Sequence, residues 1–394
     1  MKNRLITFFS LFLLSMLVLW YLCPVVAKRL AMAGHSPSVV ENPIPTDLGT
    51  PEPTPVQTPE PLYQYYTVAR EQDGFRLSMH VLELNPDRVD IRPVSSHSTL
   101  FGYEYLSVIH EKWGAMVSVN GGFSHPDGLL GGLYAIDGRI LTPATGKYPV
   151  LFLKEGKPFI CDAASRIAIC DEATGQPVLE DFKFNQYPKG DGLYVFTPDY
   201  GSTNRIQGQH LNAVHSLGEI RGLTTQNQTY EIPKDGFLIS AIGKSARQRL
   251  EKSITPGMRL SIWYEVISEN EPVSGFDWAY ECGSWLVRDG ENVAPEADTW
   301  VGTLTIRTPR TAVGLRDDGT LVFVVADGRQ PGISDGLTGR ELAQELLALG
   351  LKNAVNLDGG ASSELIINGE IMNSPSAGRE RMLAAGFVVR EKGK

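Results

Sequence analysis

Histidine and cysteine are scarce in this chain, seven and four respectively among 394 residues. The histidines are scattered singly and no cysteines have zinc-ligand spacing. The sequence therefore offers no pattern for a metal centre, and the alternative reading of a metal-dependent phosphodiesterase would need clustered His and Asp ligands. No metal and no cofactor is expected. Basic runs are missing as well. With 36 Lys and Arg against 45 Asp and Glu, the net charge is -9. Nucleic-acid backbones are gripped by clustered cations, so no nucleic-acid partner is expected. An anionic ligand would have to find a local arginine pocket. Charged residues make up only 21% of the chain and hydrophobic ones 42%, so the composition is that of a chain that builds a core, in one large domain or two small ones.

One long hydrophobic run exists, and it is at the N-terminus. Lys2 and Arg4 precede an apolar stretch from Leu5 to Ala27, about the 20 residues that span a bilayer. Residues 1–33 read as a membrane anchor or a signal sequence. The length favours an uncleaved anchor, hence a single-pass protein with its C-terminal domain outside the cytoplasm; cleavage would instead release that domain. Residues 34–61 are rich in Pro and Thr, an extended linker without a core of its own. Residues 62–394 form the expected domain, within which 147–280 reads as an inserted or wall-forming region. Cys161 and Cys170 flank a hairpin-like segment, and either a disulfide or two buried thiols fits it.

The remaining pattern is mostly strands, giving an α+β class: a strand-rich mixed sheet with few helices and a strand-helix-strand unit near the C-terminus. Ala354 to Leu357 is a short apolar strand that delivers Asp358 at its end, followed by Gly359 and Gly360. Two glycines let a ligand approach the backbone, and Ser362 and Ser363 add hydroxyls and N–H groups from the same turn. Upstream, Ala115 to Val119 ends in Asn120-Gly121-Gly122-Phe123 by the same logic, and Asn120 is suited to a sugar hydroxyl or phosphate oxygen. Leu321 to Ala326 is apolar on both faces and ends in Asp327-Gly328. Asp137-Gly138, Asp289-Gly290, Asp318-Gly319 and Asn368-Gly369 read as plain hairpin turns; after Asp327-Gly328 no strand resumes. Thr338-Gly339-Arg340-Glu341 predicts a capping box opening a helix with Leu342, Leu346 and Leu349 on one face, and Ser245-Ala246-Arg247-Gln248 predicts a second, shorter one. Strand, helix and strand imply parallel strands with both carboxylates at one sheet edge. As neighbours they would sit about 5 Å apart, the retaining-glycosidase range, and with one strand between them nearer about 10 Å. Glu281, just before Cys282-Gly283, is a further candidate acid or base, and His125 reads as a surface residue.

In this order, Asn120-Gly121-Gly122-Phe123, Pro309-Arg310-Thr311-Ala312-Val313-Gly314, Ala326-Asp327-Gly328-Arg329, Asn356 to Ser363 and Asn373-Ser374-Pro375-Ser376 resemble the motifs of the phosphodiester glycosidase family from about Leu62 onward. The family commonly has another aromatic where this chain has Ser124-His125. It often has a third glycine at the position of Ala361. The resemblance implies hydrolysis of the bond between an anomeric carbon and a phosphodiester oxygen, in a carbohydrate-phosphate of the cell envelope or an exopolysaccharide. Asp358 would then lie nearest the anomeric carbon, with Asp327 as its partner. Arg310 and Arg329 would grip the phosphate, and Thr311 and the glycine turns would line the site. An envelope module that binds glycan phosphates without turnover would use the same loops and arginines.

Overall fold

The computed structural model of the protein describes residues 61–393, and Glu60–Lys394 is one compact unit. The apolar run and most of the linker lie outside the described residues. Among those described, no helix is long and apolar enough to cross a membrane.

Strands dominate, with three α-helices among the described residues: Leu106–Trp113, Lys244–Ser253 and Gly339–Ala348. The sheet that carries the site has seven strands in the order Tyr63–Gln72, Phe75–Leu84, Leu321–Ala326, Arg310–Leu315, Asn353–Asn356, Trp285–Arg288 and Glu291–Asn292. Every neighbouring pair in it is antiparallel. The Leu321–Ala326 and Asn353–Asn356 strands therefore run the same way with Arg310–Leu315 between them. That is the wider of the two spacings the sequence allowed, about 10 Å between the outer backbones. All six residues of Leu321–Ala326 are buried, because one face packs on the Gly339–Ala348 helix through Leu342 and Leu346 while the other meets a second sheet.

That second sheet contains Val117–Asn120, Leu365–Ile367 and Ala385–Glu391. Phe323, Val355, Phe387 and Val119 share the core between the two sheets. Burying such side chains stabilises by about 25 cal/mol per Å² of apolar area removed from water, so this seam fixes the mutual position of the strand ends. Residues 147–280 contribute strands to three further sheets. One of these interleaves Pro149–Lys154 and Lys157–Asp162 with Tyr134–Ile136 and Trp278–Glu281. Cys161 and Cys170 lie in strands of different sheets and are free thiols.

Local chemistry explains most helix and turn boundaries. Thr338 accepts from the Glu341 N–H at 3.1 Å while its own N–H donates to the Glu341 carboxylate at 2.9 Å, a complete capping box. The second expected capping box does not form. That helix begins at Lys244 with Gly243 as its N-cap and without a side-chain cap. Gly243 has φ +83°, and a Cβ there would fall 2.2 Å from an Asp191 carboxylate oxygen. Asp191 thus leaves room only for glycine at this N-cap.

Candidate active site

Since the Arg310–Leu315 strand runs opposite to its neighbours, its first residue lies beside the last residues of both. Arg310 pairs with Ala326, and Ala312 with Asn356. Arg310, Asp327 and Asp358 are thereby brought to one sheet edge by register alone. What each side chain does there differs.

Asp358, Gly359, Gly360, Arg310, Arg329 and Arg381 line a single cavity of about 910 Å³, with Tyr103, Phe123 and Trp300 also in its wall. Asp358 is half-buried. Burial pushes its carboxyl up, opposed by the Ser362 hydroxyl, the charge of Arg381 and the Gly359 N–H. Arg310 is almost fully buried; its Nε donates to the Leu337 carbonyl at 3.0 Å and one Nη to the Ile306 carbonyl at 2.9 Å. Burial, and secondarily the charge of Arg329, bring its guanidinium down to about 10, so it remains a cation at neutral pH. Arg329 adopts φ +57°, a left-handed conformation that an L-residue enters only at a cost. It packs against Gly360, where a Cβ would lie 3.1 Å from Arg329 Nη1. Gly359 is needed for a different reason: a Cβ there would stand 2.9 Å from the Pro309 carbonyl oxygen.

Several expected site residues are placed elsewhere. Asp327 is buried and does not line the cavity. One carboxylate oxygen accepts from Ser78 Oγ at 2.9 Å and meets His80 Nε2 at 3.1 Å, while the other accepts from the Ser374 N–H at 2.8 Å and Asn373 Nδ2 at 3.4 Å. The His80 ring continues to the Tyr65 hydroxyl at 2.8 Å. Asn120 is also fully engaged: its Nδ2 donates to the carbonyls of Asp358 (2.7 Å) and Gly121 (3.2 Å), and its Oδ1 accepts from Thr311 Oγ1 (2.8 Å) and the Glu364 N–H (3.0 Å). It ties the ends of strands from both sheets together, and all four of its hydrogen-bonding positions are spent inside the protein. With its one proton given to Asn120, the Thr311 hydroxyl can accept from Ser363 Oγ, 3.1 Å away; both residues are buried, as is Ser362. Gly121 and Gly122 pack under Tyr280, whose hydroxyl accepts the Gly122 N–H at 2.8 Å.

Glu281 lies apart from that cavity. Its carboxylate accepts from the Leu133 and Thr145 N–H groups at 2.9 and 2.8 Å and from the Thr145 hydroxyl. Burial raises its carboxyl despite those bonds. His125 proves half-buried rather than a surface residue, its ring 5.7 Å from that of Trp300.

Two further cavity residues, Arg381 and Trp300, fall outside the candidate site residues; Arg381 belongs to the family-like stretch that follows Asn373-Ser374-Pro375-Ser376, and Trp300 belongs to no motif. Arg381 stands beside Asp358 because the chain returns there from the Asn373 loop. Trp300 is a single aromatic in a polar turn, held over the cavity by Asp298, which accepts the Trp300 and Val301 N–H groups at 2.8 and 2.7 Å and the Ser284 hydroxyl at 2.9 Å. Its ring stacks on Phe123 at 5.4 Å. An isolated aromatic between Asp298 and Gly302 has no periodicity, so only its exposure in a polar segment distinguishes it.

Residues 212–390 match the family model for phosphodiester glycosidases. An uncharacterised prophage-derived protein of Bacillus subtilis is 39% identical over 111 residues, 28% of this chain and 17% of that protein. The N-acetylglucosamine-1-phosphodiester alpha-N-acetylglucosaminidase of Mus musculus is 26% identical over 179 residues, 44% of this chain and 31% of the mouse protein. The matched region thus spans less than a third of either relative. Among solved structures, a hypothetical protein from Synechocystis has a similar fold, with TM-score 0.71 at 19% identity over 84% of this chain and 62% of that one.

Proposed function

We propose, for a chain whose residues 212–390 match the family model for phosphodiester glycosidases, that the cavity hydrolyses a glycosyl phosphodiester, breaking the bond from the anomeric carbon to the phosphate oxygen. One observation carries this reading. In a protein of net charge -9, three arginines without an ion-pair partner among the described residues, Arg310, Arg329 and Arg381, open on the same cavity as a single carboxylate, Asp358. Arginine forks fit the paired oxygens of a phosphodiester, and a carboxylate fits the positive charge that grows on an anomeric carbon.

In the step envisaged, the arginines hold the phosphate and stabilise the charge it gains as the carbon–oxygen bond breaks. A phosphate leaves without prior protonation, so no second carboxylic acid is required. Water supplies the oxygen that bonds to the anomeric carbon, and Asp358 takes the proton that this water loses. The products are a free sugar and a phosphate monoester. Asp327 serves as a clamp: it holds the Asn373–Ser374 turn, from which the chain reaches Arg381, against the Phe75–Leu84 strand. The apolar run from Leu5 to Ala27 supports an extracytoplasmic setting, and an envelope or exopolysaccharide substrate suits it.

Asp358→Asn tests the assignment. Hydrolysis of synthetic glycosyl phosphodiesters should fall by about a thousandfold or more with an unchanged denaturation midpoint, and in ¹⁸O-labelled water the wild type should place the label in the sugar. Label in the phosphate, or turnover retained by the variant, would remove Asp358 and glycosidic cleavage from the reading.

A further inference from the structure

A second cavity, of about 290 Å³, lies on the other side of Trp300, the one residue that lines both. The loop after Phe123 borders the two alternately: Ser124 and Pro126 face the arginine cavity and His125 faces the second. The partition between them is thus the Trp300 ring with the His125 ring beside it, 5.7 Å between centroids.

Its charge resembles that of the first cavity. Lys183 and Lys189 line it, and no carboxylate does. Neither lysine forms an ion pair among the described residues. Lys183 is partly buried, and its Nζ is aimed by bonds to the Lys189 carbonyl at 3.1 Å and the Tyr194 hydroxyl at 3.0 Å, so it keeps one further N–H to offer. The ammonium also lies 4.8 Å from the centre of the Tyr194 ring and has no carboxylate counter-ion, which leaves it able to take an anionic one. In a chain with nine more negative than positive charges, these two lysines, one partly buried and one exposed, stand across Trp300 from the three unpaired arginines and extend the run of positive charge past it.

Resting on the function proposed above, we infer that the second cavity is a subsite for the next phosphate of a polymeric substrate, in which sugars and phosphodiesters alternate, with Trp300 lying alongside the sugar between the two phosphates. A monomeric diester would fill only the arginine cavity. The enzyme would then prefer chains of several repeats to a single glycosyl phosphodiester, and the preference would reside in KM, because the lysines are remote from the bond that breaks.

The test uses the full chain with synthetic oligomers of N-acetylglucosamine 1-phosphate of one and four repeats. Wild type should show a KM at least about tenfold lower for the tetramer, the gain expected from one added charge-assisted contact. Lys189→Glu, at an exposed position, should abolish that difference while leaving the single-repeat KM and kcat within about twofold; Lys183→Ala should act in the same direction. Calorimetric binding of both oligomers to Asp358→Asn separates the two readings. Length-dependent binding that Lys189→Glu removes, with no turnover of either oligomer by wild type, retains the subsite and refutes the hydrolase. Equal affinity for one and four repeats, or a length dependence untouched by both lysine variants, overturns the subsite alone. Absence of binding by either oligomer overturns both.

Discussion

Asp327→Asn separates a catalytic carboxylate from one that holds the site together. In the clamp, one Asp327 oxygen serves Ser78 Oγ and His80 Nε2, and the other serves the Ser374 N–H and Asn373 Nδ2. An asparagine keeps one acceptor oxygen and turns the other into a donor. The backbone N–H of Ser374 can only donate, so the retained oxygen must face it and the new amide must face Ser78 and His80. Both of those can adapt. The serine hydroxyl rotates to accept. The imidazole can take the tautomer with its proton on Nδ1, accept at Nε2, and donate to the Tyr65 oxygen 2.8 Å away. The relay survives with its protons reversed, at a cost of about 1 kcal/mol for exchanging charged for neutral hydrogen bonds. Asp327→Ala has no such escape. It orphans the Ser374 N–H, at about 1–3 kcal/mol, and removes one of the two acceptors of the Asn373 amide, which keeps the Ser363 carbonyl at 3.0 Å. Urea denaturation should therefore rank wild type, Asn and Ala in that order, with the Asn variant close to wild type. Hydrolysis by the Asn variant should stay within about tenfold of wild type, against a loss of about a thousandfold for Asp358→Asn. A thousandfold loss in Asp327→Asn with unchanged stability would refute the clamp and restore Asp327 to the chemistry.

Asn120→Ala leaves the Glu364 N–H without its acceptor and the Asp358 carbonyl without its Nδ2 donor. It should cost about 2–4 kcal/mol in denaturant unfolding, and a change in KM without a change in stability would mean that Asn120 meets substrate after all. A pH dependence comes from Glu364, which is buried and faces Glu380; burial first, then the Glu380 carboxylate, push its carboxyl up from 4.5 to about 9. The folded state keeps this proton while the unfolded chain releases it near pH 4.5. The group's contribution to stability is thus complete below that value and declines as pH rises toward about 9, by at most about 1.4 kcal/mol per pH unit. Glu364→Gln should flatten that slope in a denaturation series from pH 5 to about 9, and an unchanged slope would show that Glu364 ionises normally in the fold.

Features decided within a few residues were legible in the sequence. Asp137-Gly138, Asp289-Gly290 and Asn368-Gly369 all turn with positive φ at both positions, because Asp, Asn and Gly tolerate that region wherever two strands must reverse. Asp327-Gly328 takes positive φ at neither position, in keeping with the absence of a returning strand after it. The Thr338 capping box formed from its own four residues. The Ser245 one did not form, since the helix already begins at Lys244 with Gly243, crowded by the distant Asp191, at its N-cap.

Apolar strands followed by Asp327 and Asp358 and joined by a capped helix were enough to put those two segments at one sheet edge, since strand pattern and a capping box are local; that Arg310–Leu315 lies between them was decided by antiparallel pairing in the fold. The direction in which each polar side chain turned at that edge was settled only by tertiary structure. Ser78 and His80, some 249 and 247 residues from Asp327 along the chain, drew its carboxylate inward. Arg381 and Trp300 came from loops with no period of their own to complete the cavity around Asp358. Burial penalises every unpaired polar group, so these long-range partners decided which motif residues became structure and which were left facing the cavity.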